Sequence, residues 1–211
     1  MNYTAIIAAV VAFAVTAASG YIVIPFLRKL KFGQTILDIG PKWHKEKQGT
    51  PTMGGIMIVA GVLIATAISV CYSAIAQDSL YFEITAPSVN LNLNVFLSGI
   101  IMALAMGAIG FIDDYIKVVK KRNLGLTARQ KTFMQFFVAA AYLASLALSG
   151  MSTTYIPFIG EINISSGAGL LFWPIALFFI YGFTNAVNLT DGLDGLCGSV
   201  SVVYLFFLCF Y

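Results

Sequence analysis

An all-α polytopic membrane protein is the fold class this sequence predicts, on three observations. The chain is 59% hydrophobic and only 10% charged, whereas soluble domains carry about 25% charged residues. Its apolar runs approach the ~20 residues that a helix needs to cross the hydrocarbon of a bilayer, which is longer than barrel strands require. All 12 Lys and Arg are gathered in two polar loops.

The first span is Ile6–Leu27. It lacks a basic leader and exceeds a signal-peptide core, so it is expected to be retained. Arg28–Pro51 follows as a polar loop with Arg28, Lys29, Lys31, Lys42, Lys45 and Lys47. Thr52–Tyr72 is the second span. Ser73–Asn94 is a loop without Lys or Arg, and its Leu91-Asn-Leu-Asn-Val95 alternation suggests a short strand. Val95–Ile112 is the third span and ends in Asp113-Asp114. The second basic loop, Lys117–Lys131, carries Lys117, Lys120, Lys121, Arg122, Arg129 and Lys131. Thr132–Ser149 is the fourth span. Gly150–Gly167 is a loop with Tyr155 and Phe158 as interfacial aromatics. Leu170–Val187 is the fifth span, and Leu196–Tyr211 begins a sixth. The expectation is one transmembrane domain over residues 1–211, with five full spans and the start of another, incomplete at its C-terminus.

Two spans separate the basic loops, so both loops lie on one side. The positive-inside rule makes that side cytoplasmic and places the N-terminus outside. Parity then brings the ends of the third and fifth spans to the same face. Asp113, Asp114, Asp191 and Asp194, four of the nine acidic residues, are thus expected beside all 12 basic ones. Cys71, Cys197 and Cys209 lie in or beside apolar runs without CxxC spacing, which favours buried free thiols over a metal or disulfide.

Three polar stretches stand out. Asn185-Ala-Val-Asn-Leu-Thr-Asp-Gly-Leu-Asp-Gly195 sits between two apolar runs. A carboxylate at mid-bilayer costs roughly 2.5–3.5 kcal/mol on the insertion scale, so Asp191 and Asp194 must face water, a cation or a polar cavity. Asn188, Asp191 and Asp194 are spaced by three, near one stripe if the helix continues. Alternatively Gly192 and Gly195 break the helix and free N–H groups for a phosphate. Asn185 and Thr190 add unpaired donors; the plain alternative is a hydrated turn. Asp113 and Asp114 could share a divalent cation, or one could take a proton while its neighbour stays ionised; the alternative is a solvated helix end. Lys47-Gln-Gly-Thr-Pro-Thr-Met-Gly-Gly55 opens the second span. Thr50 suits its cap and Pro51 its first turn, and Gly54 and Gly55 would admit another backbone. That stretch reads either as a phosphate platform with Lys47 as counter-charge or as close helix packing. The basic loops serve either topology and anionic lipid or polyanionic substrates. His44 is the lone His and reads as solvated, and Ala103 and Gly107 read as packing contacts.

Gly49-Thr-Pro-Thr-Met-Gly-Gly-Ile-Met57, Gly110-Phe-Ile-Asp-Asp-Tyr115 and Asn185 to Gly195 resemble three motifs of the phospho-N-acetylmuramoyl-pentapeptide transferase family. The resemblance runs in order from about Gly20 to Gly198. The acidic motifs belong to the wider superfamily that moves N-acetylhexosamine-1-phosphate onto polyprenyl phosphate. The Thr-Pro-Thr-Met-Gly-Gly string points to the muramoyl-pentapeptide branch.

The resemblance implies a Mg²⁺-dependent phosphoryl transfer from UDP-N-acetylmuramoyl-pentapeptide to undecaprenyl phosphate, giving lipid I and UMP in peptidoglycan synthesis. Such a site needs a cation and basic side chains against repelling phosphates. By position, Asp113 and Asp114 match the catalytic and metal-binding pair, the first as proposed base toward the lipid phosphate. Lys47, Thr52, Asn188, Asp191 and Asp194 match the nucleoside-sugar pocket, and Lys117 and Arg129 look placed for phosphates. Direct attack by the lipid phosphate and a covalent phospho-enzyme both stay open. The implied setting is the bacterial cytoplasmic membrane with the site on its cytoplasmic face. The implied partners are the two substrates, the bilayer and a second copy as homodimer, with no nucleic acid. The family's third Asp and His-rich motif lie beyond this stretch, so the 211 residues alone are expected to be inactive. Competing readings are a transferase using another UDP-N-acetylhexosamine, a transporter with an ion or proton pathway, and a non-catalytic partner. Transporters usually place such carboxylates near the midplane, whereas these sit at span ends.

Overall fold

The computed structural model describes residues 3–29, 52–76, 90–120, 124–156, 159–192 and 195–208. Helices α1 (Tyr3–Lys29), α2 (Gly55–Ala76), α3 (Asn90–Val119) and α4 (Ala128–Leu148) come first. A hairpin of β1 (Thr153–Ile156) and β2 (Gly160–Asn163) follows, then a 3₁₀ turn at Gly167–Leu171, α5 (Phe172–Thr190) and α6 (Leu196–Leu208). Among the described residues, five helices are long and apolar enough to cross a membrane. They are apolar all round. Phe13, Tyr21, Ile22, Phe133 and Phe179 are exposed, as lipid-facing side chains must be when no water-driven core is required.

One expectation fails outright. Leu91–Val95 is not a strand; it lies in the opening turns of α3. Its Leu–Asn alternation runs into an apolar helix, whose ladder takes up the segment's carbonyls where a lone strand would satisfy none. The helix ends also shift. α4 begins at Ala128 rather than Thr132 because Thr127 and Gln130 form a reciprocal cap. Gln130 N–H donates to Thr127 Oγ1 at 3.3 Å, and Thr127 N–H donates to Gln130 Oε1 at 3.1 Å.

The chain forms two compact units, residues 1–134 and 135–211. In the first, α1 packs along α2. The buried face of α2 is Gly61, Ala65, Ser69 and Ser73, one residue per turn. At Gly61 a Cβ would overlap the Thr16 side chain and come within 3.0 Å of the Ala12 carbonyl, so the two backbones meet there. The sequence marked Gly54 and Gly55 for such an approach. At Gly55 a Cβ would meet nothing described, and at Gly54 only the Met57 side chain. Gly107 likewise faces open space among the described residues. Cys71 is a free thiol on an exposed face rather than a buried one.

In the second unit the hairpin pairs Thr153 with Asn163 and Ile156 with Gly160. It is pinned through Ile164, which is fully buried. Ile164 N–H donates to the Ser152 carbonyl at 2.8 Å, and Trp173 Nε1–H donates to the Ile164 carbonyl at 3.0 Å. Phe136 of α4 stacks on Tyr181 of α5 with centroids 4.6 Å apart and meets Phe178 edge-on at 5.4 Å.

Candidate active site

In the first unit, α3 carries the acidic pair beyond the apolar run. The helix does not stop at Ile112 but continues to Val119, so Asp113 and Asp114 lie within it. Adjacent residues diverge by about 100° round a helix, and the two carboxylates meet different surroundings. The Asp113 side chain is 12% exposed and that of Asp114 37%. Lys117, one turn on, bridges them. Its Nζ lies 2.8 Å from Asp113 Oδ2 and 2.9 Å from Asp114 Oδ1.

A short strap, Leu124 to Thr127, closes over Asp113. Leu126 N–H donates to Asp113 Oδ1 at 2.8 Å. The approach depends on Gly125, where a Cβ would overlap Asp113 Oδ1 and crowd the Asp113 carbonyl. Both oxygens of Asp113 are therefore engaged. Asp114 Oδ2 has no partner among the described residues. Lys131 adds its positive field at Asp113. Arg129 is exposed in the first turn of α4, where the positive end of the helix dipole disfavours a cation unless an anion joins it.

This donor set fits magnesium in one manner only. Among the described residues no three His, Cys, Asp or Glu cluster, so no closed protein cage exists there. Mg²⁺ commonly takes one or two carboxylates and completes its shell with phosphate oxygens and water. Asp114, with one oxygen unengaged beside a second carboxylate, meets that requirement.

The second stretch belongs to the second unit. α5 ends at Thr190 and Asp191 is its C-cap, with Asp191 N–H donating to the Val187 carbonyl at 3.1 Å. Gly195 follows at φ +79°, a conformation glycine adopts without strain. The continuous-helix stripe is thus overturned, and the glycine break describes the chain. Asn188 is exposed in the last turn of α5 and Asp191 is exposed just past it. Asp194 lies outside the described residues. Asn185 and Thr190 are not unpaired donors. Asn185 Nδ2 donates to Gln135 Oε1 at 3.0 Å and to the Tyr181 carbonyl at 2.9 Å. Thr190 Oγ1 donates to the Ala186 carbonyl at 2.8 Å.

Lys47, His44, Thr50 and Pro51 lie outside the described residues. Thr52 is half-buried just before α2. Beside it, buried Met53 takes φ +68°, a left-handed conformation costly for a non-glycine residue and frequent at functional sites. Sequence reasoning passed over Met53, Gly125 and Gln135. The cap sequence Thr127-Ala-Arg-Gln130 could have located the strap; nothing local marks Gln135.

A family model described as glycosyl transferase family 4 matches residues 96–211. A second, the phospho-N-acetylmuramoyl-pentapeptide-transferase signature 1, matches residues 47–59. Curated proteins named phospho-N-acetylmuramoyl-pentapeptide-transferase are similar along most of the chain. That of Bacillus cytotoxicus is 42% identical over 198 residues, 94% of this chain and 56% of the relative. That of Listeria monocytogenes serotype 4b is 45% identical over 194 residues, 92% of this chain and 54% of the relative. That of Geobacillus kaustophilus is 41% identical over 198 residues, with shares of 94% and 56%. The chain thus spans about half the length of the curated relatives it matches.

Proposed function

We propose, for a chain that belongs to glycosyl transferase family 4, that it serves the transfer of phospho-N-acetylmuramoyl-pentapeptide from UDP to undecaprenyl phosphate. The products are lipid I and UMP, and the setting is a multi-pass bacterial membrane protein. The observation that carries the reading is the unequal carboxylate pair on α3 with Lys117 between them. It lies in the region matched by the family model, and the muramoyl-branch signature covers residues 47–59.

In the reaction an oxygen of the lipid phosphate attacks the β-phosphorus of the donor, and the bond to the UMP oxygen breaks. Both reactants are anionic, so the barrier is chiefly one of gathering negative charge. Mg²⁺, held by Asp114 with Asp113 beside it, would neutralise part of that charge. Lys117 supplies a positive charge that can pass from the carboxylates to an arriving phosphate. Asp113 is clamped by the Leu126 N–H and holds Lys117 in place. Arg129, at the start of α4, offers a guanidinium to a phosphate, and the N–H groups at the same helix end support it. Lys47, Thr52, Asn188, Asp191 and Asp194 are assigned to the nucleoside and sugar. The soluble donor and the membrane-held acceptor meet at the cytoplasmic face.

The test is lipid-product formation from labelled UDP-N-acetylmuramoyl-pentapeptide, in membranes where the chain stands within a protein of its relatives' length, since it spans about half of them. Asp114→Asn keeps size and removes charge, and the rate should fall by about 10²-fold or more. Product formed from UDP-N-acetylglucosamine instead would move the chain to another branch. Unchanged transfer in Asp114→Asn would remove the pair from the mechanism.

A further inference from the structure

Gln135 is almost fully buried, at 3% exposure, in the apolar part of α4 beyond Arg129, and is not itself one of the sequence-derived site residues. A primary amide in such a place costs free energy unless it is bonded. Its Oε1 accepts from Asn185 Nδ2 at 3.0 Å, and the same Nδ2 donates to the Tyr181 carbonyl one turn back on α5. The aromatic contacts of Phe136 with Tyr181 and Phe178 flank this amide pair. The two kinds of contact do different work. Stacked rings hold two helices together and tolerate sliding and small rotations. A hydrogen bond between two short-reach amides has one acceptable register, and a buried polar contact is best attested as a register device.

We infer that Gln135 is a positioning residue: through Asn185 it fixes the rotation and height of α5, and so the placement of Asn188 and Asp191 at the end of that helix. Asn188 follows Asn185 by three residues, about 4.5 Å along the axis and about 60° round it. Asp191 caps the same helix. A rotation released at Asn185 therefore passes to both side chains without a flexible segment between. The consequence for turnover rests on the transferase reading, because only there do Asn188 and Asp191 bind the UDP-linked donor. The consequence for geometry does not.

The experiment uses both readouts on the protein in native membranes. Gln135→Met keeps length and volume and removes the acceptor; Gln135→Glu keeps an acceptor oxygen. Asn188→Cys, in a background with the three native cysteines changed to serine, reports the placement of the helix end through its rate of modification by a charged maleimide. Interhelical hydrogen bonds in membranes are worth about 0.6–1.7 kcal/mol, or about threefold to twentyfold in an equilibrium. Gln135→Met should change the modification rate by that factor, and Gln135→Glu should return it to within about twofold of the parent. Asn185→Leu, which removes the donor, should reproduce the effect and serves if Gln135→Met does not fold. In turnover, Gln135→Met should raise KM for UDP-N-acetylmuramoyl-pentapeptide by the same factor while kcat stays within about threefold. An unchanged modification rate in Gln135→Met or Asn185→Leu overturns the inference. So does a change that Gln135→Glu fails to reverse, which would mark a purely structural side chain. A changed modification rate with KM and kcat both unchanged would leave the positioning intact and count against the assignment of Asn188 and Asp191 to the donor instead.

Discussion

The Leu126 N–H reaches Asp113 only because the chain at Gly125 can lie directly against the carboxylate. Gly125→Ala must lift the strap, and a lost hydrogen bond to a charged group costs about 1.5–3 kcal/mol. The expected outcome is a fall in transfer rate of tenfold or more, about 1.4 kcal/mol in the barrier, with a modest fall in the thermal midpoint. Gly107→Ala is the control. A Cβ there meets nothing described, and alanine in a helix interior is favoured by up to about 1 kcal/mol, so the rate should hold and the midpoint should not fall. A Gly125→Ala protein with parental transfer would show that the strap is incidental. The acidic pair itself was legible in the sequence, because two adjacent carboxylates after an apolar run demand an explanation. The inequality within the pair was not. Leu126 stands thirteen residues from Asp113, and only folding brings its N–H to one carboxylate and leaves the other half-open. Gln135 escaped for the same reason: an isolated amide in an apolar run carries no local signal of its partner fifty residues on.

At the scale of elements, hydropathy located each long helix and misplaced its ends. Apolar content stops at Ile112, but α3 continues through Asp113, Lys117 and Val119, since charged residues at i, i+3 and i+4 pair with one another on a helix. The hairpin at Thr153–Asn163 went unseen because its strands are four residues each, too short to show a period. Close helix packing was one reading of Gly54 and Gly55, with no partner helix named, yet α1 and α2 meet at Gly61. Two substitutions with opposite signs follow on α2. Gly61→Val forces a branched side chain into Thr16 and the Ala12 carbonyl, and overpacking of this kind costs about 1–3 kcal/mol. Ser73 is 1% exposed, and its hydroxyl has no hydrogen-bond partner among the described residues. Ser73→Ala removes that unmet polar group and should stabilise by about 1 kcal/mol. Circular dichroism of the detergent-solubilised protein on heating should show a lower midpoint for the first and a higher one for the second. The same sign for both would mean that this face is not the packed one.

Across the whole molecule, charge decides sidedness. Twelve basic residues gathered in two connections and at the helix ends beside them, with none near the other connections, give a strong orienting signal, because a cytoplasmic leaflet attracts each Lys or Arg by about 1 kcal/mol near its surface. The proposed chemistry requires the same orientation, since a soluble UDP-linked donor is available only inside the cell. Topology and function thus stand on one measurable fact. Tyr155 on the hairpin and Lys120 after α3 are both exposed, so a thiol at either is accessible to a reagent on its own side. In intact cells lacking the native cysteines, Tyr155→Cys should react with a membrane-impermeant maleimide. Lys120→Cys should react only after the membrane is opened. The reverse pattern would place Asp113 and Asp114 on the side without UDP-sugars, and no rearrangement of residues within the site could then rescue the transfer.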